Sequence, residues 1–436
     1  MNKQKQMVKD FLKKYKMDYE SIDIEKSCED FINDMENGLE GNIQSLKMIP
    51  TYITIDKEIP LEEPVIVMDA GGTNFRVAVA HFDKDKKVVI EDYNNYPMPG
   101  TNGEISKKEF FTTMVNYIKP VLNKSNKIGF CFSYATEVLP NKDGKLIQFS
   151  KEVRVTDLIG EKIGENLLKT IKDMGYEGDK EIVLFNDTVA TLLGGKASYL
   201  DRVFDGYIGF ILGTGTNTAY IEDNSNIKKS KDISSKKGSM IINVESGGYE
   251  FKDRGDIDLE FDKSTKDPGQ YTFEKMISGR YQGGILLATV KRAAQEGLFS
   301  KDFTDKVLKL DDLTTIEMNN FLFYPYSGNV LADMCGDNEG DRLTLFYIID
   351  AIVERAAKLV AINIASVVQK SGRGKNPLKP VCITADGSTF YKSKLLRGKI
   401  EYYVKDYLEN QKGIYCEFVK ADNVTLVGTA IAGLLG

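Results

Sequence analysis

Short apolar runs separated by glycine turns predict an α/β fold for this chain. PVIVMDA (Pro64 to Ala70) predicts a β-branched strand, and after a Gly-Gly turn a second strand runs from Phe75 to Phe82. KIGFCFS (Lys127 to Ser133) and EIVLF (Glu181 to Phe185) predict two buried strands, the second followed by a helix from Thr188. Strands interleaved with helices in this way are the pattern of an α/β domain.

A second strand-turn-strand unit repeats the first. It runs from Tyr207 to Glu222 and turns at GTGTN (Gly213 to Asn217), which echoes GGTN (Gly71 to Asn74). Two such units in the same setting indicate an internal duplication, with two similar domains that each offer one glycine turn. The Lys/Ser/Asn-rich stretch that follows, Asp223 to Ser239, has little to bury and predicts a solvated loop.

The C-terminal half adds a long helix and another strand that ends in a glycine turn. Apolar residues recur at helical spacing along Arg342 to Gln369, and Gly372 to Pro380 ends that helix. Val381 to Thr384 then predicts a strand that leads into Asp386-Gly387-Ser388.

The N-terminal segment repeats apolar residues at helical spacing among lysines: Met7, Phe11, Leu12 and Tyr15. This pattern describes either a basic amphipathic membrane anchor or a helix packed on its own domain. The short apolar content favours the packed helix.

Composition narrows the class of protein. The chain has 436 residues, of which 42% are hydrophobic and 28% charged, and its net charge is −6. The length predicts more than one domain, and the mildly acidic balance argues against a nucleic-acid or anionic-membrane binder. No apolar run approaches the roughly 20 residues of a spanning helix, and the N-terminus lacks the apolar stretch of a signal peptide. We therefore expect a cytoplasmic protein without nucleic-acid or membrane partners, either a monomer or a homodimer.

Cysteine and histidine usage excludes several chemistries. The five cysteines are far apart and form no C-x-x-C pair, so neither a disulfide framework nor a zinc site is encoded (Cys28, Cys131, Cys335, Cys382 and Cys416). The single histidine, His81, ends an alternating run and is typical of a strand-end side chain. Carboxylates must therefore supply most of the acid–base chemistry.

Glycine-rich turns after strands indicate phosphate binding. DAGGTNFR (Asp69 to Arg76), GTGTN and ADGS (Ala385 to Ser388) all follow predicted strands, and glycine permits the close approach that a cradle of backbone N–H groups requires. None of them is a P-loop or a strand-to-helix G-x-G-x-x-G. Any one alone would be only a turn, but together they favour a nucleotide site.

Two aspartates are candidates for chemistry. Asp69 in the first turn offers a carboxylate for a hydrated Mg²⁺, beside the Thr73 hydroxyl and the Arg76 cation for phosphate oxygens; the alternative is that Asp69 only closes a turn. Asp187, in FNDTVATL, lies where a strand ends and a helix begins. It is either a helix N-cap or a base that accepts a hydroxyl proton as the hydroxyl attacks a γ-phosphate.

These residues resemble the hexokinase family, within the actin-like ATPase superfamily. GLEGNIQSLKMIPTYI (Gly38 to Ile53) is similar to the family's lead-in, VMDAGGTNFRVAV to its phosphate signature, FCFSYA (Phe130 to Ala135) to its sugar loop and GKLIQFSKEV (Gly144 to Val153) to its Thr-Lys segment. The remaining motifs follow in family order: NDTVATL, GTGTNTAYIE, INVESGGY, DPGQYTFEKMISGRY and ADGS. The resemblance spans roughly residues 30 to 436.

The resemblance implies roles for individual residues. It implies a catalytic base at Asp187 and a cation at Lys151 that offsets charge on the transferring phosphoryl group. The implied sugar pocket consists of Ser133, Ser150, Lys151, Asn186, Asp187, Asn217, Glu245 and Glu274. The implied nucleotide site consists of Asp69, Gly71, Gly72, Thr73, Asn74, Arg76, Gly213, Thr214, Gly215, Gly387 and Ser388, with Asp69 holding Mg²⁺ through water.

The sequence also departs from the family pattern. Ala135 replaces the sugar-loop proline, Ser150 replaces the threonine before Lys151, and Glu152-Val153 replaces Gly-Phe. Glu152 adds a negative charge beside the implied pocket. Further along, Ser246 follows the glutamate of INxE where the family has Trp or a similar residue, and Gly284 replaces a glutamate.

The resemblance implies a two-domain actin-like (ribonuclease H-like) ATPase fold with an interdomain cleft. The expected small domain is 64–195 plus 421–436, and the expected large domain is 1–63 plus 196–420. The implied activity is transfer of the γ-phosphoryl group of Mg·ATP to the 6-hydroxyl of glucose or a related hexose. Two alternatives remain open: a catalytically weak sugar-sensing regulator, and an actin-like nucleotide-binding module without a sugar pocket.

Overall fold

A computed structural model describes residues 3–55, 57–149, 153–199 and 201–436. Its strands are Ile49–Pro50 (β1), Val65–Ala70 (β2), Asn74–Phe82 (β3), Val88–Pro97 (β4), Ile105–Ser106 (β5), Lys127–Phe132 (β6), Ala135–Val138 (β7), Gly144–Gln148 (β8), Val155–Thr156 (β9), Glu181–Phe185 (β10), Gly206–Leu212 (β11), Thr216–Asp223 (β12), Ser239–Asn243 (β13), Val381–Asp386 (β14) and Cys416–Val419 (β15).

The α-helices of the described residues are Lys3–Lys14 (α1), Ile24–Glu40 (α2), Lys107–Ile118 (α3), Ile163–Asp173 (α4), Asp187–Ser198 (α5), Lys231–Ser234 (α6), Asp256–Ser264 (α7), Thr272–Ile277 (α8), Gln282–Gln295 (α9), Lys301–Val307 (α10), Thr315–Phe323 (α11), Val330–Cys335 (α12), Glu339–Lys370 (α13), Ser388–Lys392 (α14), Leu396–Val404 (α15) and Val424–Leu435 (α16). A π-helical turn, Lys405–Gln411, continues α15.

Two sheets of matching topology form the framework. The first has the order β10-β6-β2-β3-β4, in which β2, β3 and β4 are an antiparallel meander and β6 and β10 lie parallel beside β2. The second has the order β1-β13-β12-β11-β14-β15, in which β11, β12 and β13 are the meander and β14 and β15 lie parallel beside β11. This repeated arrangement confirms the internal duplication predicted from the two glycine turns.

The first sheet is buried on both faces, and its strands alternate accordingly. In β2, Ile66 and Met68 point into a core shared with α3 and α4, whereas Val65 and Val67 point into a core shared with α5 and α16. Successive strand residues face opposite ways, so a strand covered on both faces appears as one continuous apolar run. This burial explains why polar and apolar residues do not alternate in PVIVMDA, where Asp69 is the first polar residue.

Helix α5 lies between the two sheets and places the start of its first turn at the cleft between them. It packs against α16 and against β11 of the second sheet. Val189 and Leu192 of α5 share a core with Leu434 of α16 and with Ala219 of β12. Because this core joins both halves, the residues at the beginning of α5 have a fixed position relative to both glycine turns.

The largest core belongs to the second half and surrounds α13. The predicted helix over Arg342 to Gln369 is confirmed, with bounds Glu339–Lys370, and Leu345, Ile349 and Ile352 are buried in it. Helix α1 packs on the same core through Val8, Phe11 and Leu12. Packing of α1 on its own chain, not on a membrane, is thereby confirmed.

The prediction of a solvated loop over Asp223 to Ser239 is wrong in part. A short 3-10 turn at Asn224–Asn226 and helix α6 lie within this stretch, and Ile227 and Ile233 are fully or nearly fully buried. Two isolated isoleucines suffice to attach a polar segment to a core. The mean composition of the segment does not reveal them, because polar residues dominate it. Ser235, Lys236 and Lys237 are exposed, whereas Lys229 is half-buried and its Nζ donates to the Lys47 and Met48 carbonyls at 2.8 and 2.6 Å.

The five cysteines are free thiols, and four of them are buried. Among the described residues, no helix is both long and apolar enough to cross a membrane.

Candidate active site

A cleft of about 810 Å³ opens between the two sheets. It brings together predicted residues from both halves of the chain: Ser133, Asn186 and Asp187 from the first half, and Thr214, Gly215, Asn217, Glu245 and Glu274 from the second. Carboxylates and amides therefore converge in one polar cavity large enough for a small ligand. Ser150, Lys151 and Glu152 lie outside the described residues.

An amide network prepares one wall of the cleft. The Asn217 side-chain nitrogen donates to Asn243 Oδ1 at 2.7 Å and approaches Glu245 Oε1 at 3.3 Å. Asn243 Nδ2 donates to the same Glu245 oxygen at 2.8 Å. The side-chain oxygen of Asn217, Oδ1, accepts the Thr218 backbone amide at 2.7 Å, which fixes the orientation of the Asn217 side-chain amide. Glu245 thus keeps its other oxygen available for a ligand.

Asn243 belongs to this network although sequence reasoning did not select it. It lies in the quoted segment INVESGGY, at the end of β13, and lines the cleft with Glu245. β13 pairs with β12 so that Asn243 is opposite Ala219, which brings its side chain close to that of Asn217. Asn243 is the asparagine of INxE, and the strand register shows that its side chain takes part in the network.

Glu245 has a left-handed backbone conformation, with φ of 60°. A non-glycine residue in this region is uncommon and typically costs on the order of 1 kcal/mol or more. The conformation turns the chain directly after β13, and the residue lies in the cleft. Such strain is typical of side chains held for ligand binding.

The two halves meet at the start of α5. Asn186 is the helix N-cap, and its side-chain oxygen accepts the Thr188 amide at 2.9 Å. The same oxygen lies 3.4 Å from Asn217 Nδ2 of the second half. Asp187 is the first helical residue, so the interpretation of Asp187 as the N-cap is wrong, because Asn186 takes that position. Asp187 instead lines the cleft, with Oδ1 3.4 Å from the Thr188 hydroxyl.

Glu274, in the first turn of α8, lines the cleft and contacts the second glycine turn. Its Oε2 accepts the Thr216 amide at 2.9 Å. A Cβ at Gly215 would lie 2.5 Å from that oxygen, so only glycine permits this approach. Burial, together with the negative charge of Glu245, raises the pKa of Glu274 to about 7, against the contribution of the Thr216 amide, which lowers it.

The second glycine turn is held by backbone bonds from the segment after α8. The carbonyl of Gly213 accepts the Gly279 amide and the Thr389 hydroxyl, both at 2.8 Å, and the carbonyl of Thr214 accepts the Arg280 amide at 3.1 Å. Arg280 itself is exposed and lines the cleft, a cation that sequence reasoning missed. The sequence feature that could have identified Arg280 is the SGRY segment, which follows Glu274 closely.

The third turn lies against the second. Gly387 has φ of 113°, which favours glycine, and a Cβ built on Gly213 would lie only 3.6 Å from the Gly387 Cα. The Gly387 amide donates to Asp386 Oδ1 at 2.7 Å. Ser388 begins α14 and is exposed. The two turns therefore form one continuous backbone surface, although Gly387 and Ser388 do not line the 810 Å³ cavity itself.

The first glycine turn is beside that cavity, since the Ser133 amide donates to the Ala70 carbonyl and Ser133 lines the cleft. Asp69 is buried, and its Oδ2 accepts from Arg76 Nη1 at 2.7 Å. Burial raises the pKa of Asp69, the Arg76 cation acts in the opposite direction, and the Asp386 carboxylate adds to the rise.

Backbone carbonyls of the first turn accept hydrogen bonds from the protein. Ala70 O accepts the Ser133 amide at 3.1 Å, and Thr73 O accepts the Met98 amide at 2.9 Å. Within the described part of the chain, the Gly72 and Thr73 amides donate to no recorded acceptor. Asn74 begins β3 and receives the Gly71 amide on its carbonyl at 3.0 Å. Backbone N–H groups of this kind are the donors that phosphate binding requires.

The family departures have physical explanations. A Cβ at Gly284 would lie 2.6 Å from the ring of Phe261, which lines the cleft, so the glycine makes room for that ring. Ser246 is fully buried, with Oγ 3.2 Å from the Thr218 hydroxyl and 3.4 Å from Asn363 Nδ2. Ala135 begins β7 and lines the cleft.

Comparison with known proteins agrees with this geometry. Two models of the hexokinase family match the chain, over residues 7–197 and 207–435. Hexokinase-5 of rice (Oryza sativa subsp. japonica) is 29% identical and covers 86% of this chain and 79% of its own. Hexokinase-1 of spinach (Spinacia oleracea) is also 29% identical, with 84% and 78% covered.

Solved structures show the fold. A hexokinase from Schistosoma mansoni complexed with glucose has a TM-score of 0.78 at 23% identity, covering 99% of this chain and 98% of that one. A glucokinase from an Antarctic psychrotroph has a TM-score of 0.51 at 16% identity, covering 85% and 98%. The two sheets and their cleft are thus the two-domain actin-like ATPase fold. The chain belongs to the hexokinase family and is a phosphotransferase that acts on a hexose hydroxyl group.

Proposed function

We propose that this protein transfers the γ-phosphoryl group of Mg·ATP to the 6-hydroxyl of glucose or a closely related hexose. The observation that carries the proposal is the cleft, in which Asp187 at the start of α5 shares one cavity with Asn217, Glu245 and Glu274. These side chains suit a polyol, because each carboxylate or amide can bind neighbouring hydroxyls. The solved Schistosoma relative binds glucose, which supports the choice of hexose.

The hexose is bound mainly by the second half of the chain. Glu245 has one oxygen engaged with Asn243 and Asn217, which leaves the other as a fixed acceptor. Glu274 has Oε2 engaged with the Thr216 amide, so its remaining oxygen serves the same purpose. A sugar that places a hydroxyl elsewhere leaves one of these groups buried without a partner, which is the basis of discrimination.

Asp187 accepts the proton of the attacking hydroxyl. It is the first residue of α5, whose position between both sheets is fixed by packing, and Ser133 and Asn186 lie beside it in the cleft. A carboxylate base must reach the hydroxyl that it deprotonates, and a helix packed on two sides provides that rigidity. Closure of the two halves around the sugar excludes water as a competing acceptor.

The nucleotide lies across the three turns. The Gly72 and Thr73 amides of the first turn and the Thr214 and Gly215 amides of the second point donors at the phosphates. Lys151, on the strength of the family resemblance, and Arg280, which lines the cleft, supply positive charge for the transferring group. Gly387 and Ser388 contact the adenosine end.

The residues fit a Mg²⁺ ion that arrives with the nucleotide. Among the described residues, no group of three or more histidine, cysteine, aspartate or glutamate side chains is arranged to bind a metal by itself. Mg²⁺ commonly uses one or two carboxylates plus phosphates and keeps several waters. Asp69, buried and paired with Arg76, would hold the hydrated ion through water. When bound, the ion neutralises charge that develops on the phosphate oxygens.

The assignment of these residues to the two halves of the chain also defines the domains that we propose. The small domain is 64–195 plus 421–436, because α16 packs on α5 and on the first sheet. The large domain is 1–63 plus 196–420 and carries the second sheet. The cleft is the space between them, and hexose and nucleotide each contact both.

The test is a coupled assay of ADP release with Mg·ATP and a panel of glucose, mannose, glucosamine, galactose and fructose. We expect glucose to have the highest kcat/KM and galactose and fructose to fall roughly ten- to hundredfold below it. Equal values for galactose or fructose would show that the pocket is not arranged as proposed. Binding of glucose without turnover would favour the sugar-sensing regulator instead.

A further inference from the structure

The loop after β6 has two neighbouring residues with different contacts. Ser133 lines the cleft with Asp187, and Tyr134 follows it. The Tyr134 side chain is nearly buried, with 3% exposure, and its hydroxyl donates to the Gly71 carbonyl of the first glycine turn at 2.7 Å. Its ring packs against Phe132 and Phe149, with centroids 4.9 and 5.1 Å away. Aromatic packing thus fixes the hydroxyl against the turn.

The Gly71 carbonyl determines where the next amide points. The carbonyl of Gly71 and the N–H of Gly72 belong to one planar trans peptide unit, so they point in opposite directions. When Tyr134 binds the carbonyl from the protein side, the Gly72 N–H must point away from Tyr134. Within the described residues that N–H has no recorded acceptor. A peptide between two glycines has little steric preference for one orientation. The hydrogen bond from the Tyr134 hydroxyl therefore determines the orientation of the Gly71–Gly72 peptide.

We propose that Tyr134 is a positioning residue that orients the Gly72 amide for phosphate and so couples hexose binding to nucleotide binding. A hexose that contacts Ser133 adds a restraint to the loop that carries Tyr134, and through the Tyr134 hydroxyl this restraint reaches the donor in the first turn. The inference rests on the proposed function, in that the first turn must bind nucleotide phosphate. Burial and the nearby Asp69 charge raise the pKa of Tyr134, so the phenol stays protonated and remains a donor.

The variant Tyr134→Phe removes one hydroxyl and keeps the ring that packs on Phe132 and Phe149. We expect the KM for ATP at saturating glucose to rise about three- to tenfold, the usual effect of one lost hydrogen bond, while the glucose Kd measured without nucleotide changes less than twofold. We also expect a non-hydrolysable ATP analogue to lower the glucose Kd, measured by calorimetry, in the wild type and to leave it unchanged in the variant.

The matched control is Tyr199→Phe. The Tyr199 hydroxyl also donates to a backbone carbonyl, that of Lys420, at 2.6 Å, but it does not line the cleft. This variant loses the same chemical group and the same kind of hydrogen bond. Its KM for ATP and its glucose–nucleotide coupling should equal those of the wild type, so a shared loss of stability cannot imitate the predicted change.

Amide hydrogen exchange of the wild type gives a second measurement that needs no variant. Glucose alone should slow exchange in the peptide that contains Gly71 and Gly72. An unchanged KM for ATP and unchanged coupling in Tyr134→Phe, or no glucose-dependent protection of that peptide, would overturn the proposal. Wild-type turnover with glucose tests the proposed function separately, so an active wild type with an indifferent Tyr134→Phe variant refutes only the positioning role.

Discussion

The two halves of the molecule have the same strand order and hold their glycine turns by different means. The second turn is fixed by a network around it: Glu274 accepts the Thr216 amide, and the Gly279 and Arg280 amides bind its carbonyls. The first turn accepts hydrogen bonds from the Ser133 and Met98 amides and from the Tyr134 hydroxyl, and the buried Asp69 beside it pairs with the partly exposed Arg76. The same fold thus holds the second turn through the segment after α8 and the first turn through the segments after β4 and β6.

We assign hexose binding and phosphoryl-transfer chemistry to different halves of the chain. Glu245 and Glu274, the carboxylates that we assign to hexose recognition, lie in the second half. The carboxylate that we assign to proton transfer, Asp187, lies in the first half with the metal-binding candidate Asp69. Substitutions in the second half should therefore act mainly on hexose affinity, and those in the first half mainly on turnover or nucleotide binding.

The largest effect should come from Asp187→Asn in the first half. The amide keeps the hydrogen-bonding shape but cannot take the hydroxyl proton, so kcat should fall on the order of 10²–10⁴-fold while the glucose Kd stays within a few-fold. Asp256→Asn is the matched control, since Asp256 is likewise the first residue of a helix and lies outside the cleft. Near-normal turnover of Asp187→Asn would leave Asp187 a purely structural residue.

In the second half, Glu245→Gln should act on hexose affinity. The substitution removes the charge that accepts from Asn243 and Asn217 while keeping the length of the side chain. We expect kcat/KM for glucose to fall roughly ten- to hundredfold, mostly through KM. Glu250→Gln, at an exposed position nearby, should have no effect. A loss confined to kcat would contradict the proposed separation.

The raised pKa of Glu274 in the second half predicts that the stability of the protein depends on pH. Because the folded protein retains this proton up to about pH 7, whereas the ordinary value is 4.5, the free energy of unfolding should decrease as pH rises between those values. The decrease is on the order of 2 kcal/mol, since partial exposure moderates the shift. Urea unfolding of wild type and Glu274→Gln across this window should show that the slope is smaller in the variant. Equal slopes would refute the assignment.

The smallest effect expected is that of Asn243→Ala. It removes one donor to Glu245 and one acceptor from Asn217, so the hexose KM should rise about fivefold with little change in kcat. Steady-state kinetics with glucose would measure it. A kcat loss comparable to that of Asp187→Asn would place Asn243 in the chemistry instead.

Much of the framework could be predicted from local pattern. β10 has the predicted bounds, β2 begins one residue later than predicted, and α13 extends the predicted helix at both ends, because continuous apolar runs and helical spacing are local signals. The duplication could be recognised from two glycine turns because matching turns end matching strands.

The remaining details depend on contacts between distant segments. Asn243 lies near Asn217 in the cleft because of the register of β12 with β13. Asn186, not Asp187, is the N-cap because α5 begins at Asp187, and the exact first residue of a helix is hard to predict from sequence. The significance of the Tyr134 hydroxyl appears only from its distance of 2.7 Å to the Gly71 carbonyl. The burial of Ile227 and Ile233 required a neighbouring core that composition does not reveal.

Phosphorus NMR of the wild-type protein with Mg·ATP and glucose tests the central claim most directly. The account predicts that the γ-phosphate signal is replaced by that of a hexose 6-phosphate, one for each ADP formed, and that omission of glucose abolishes the change. Inorganic phosphate in place of the sugar phosphate, ADP formation that does not need a hexose, or no reaction with any hexose would contradict it.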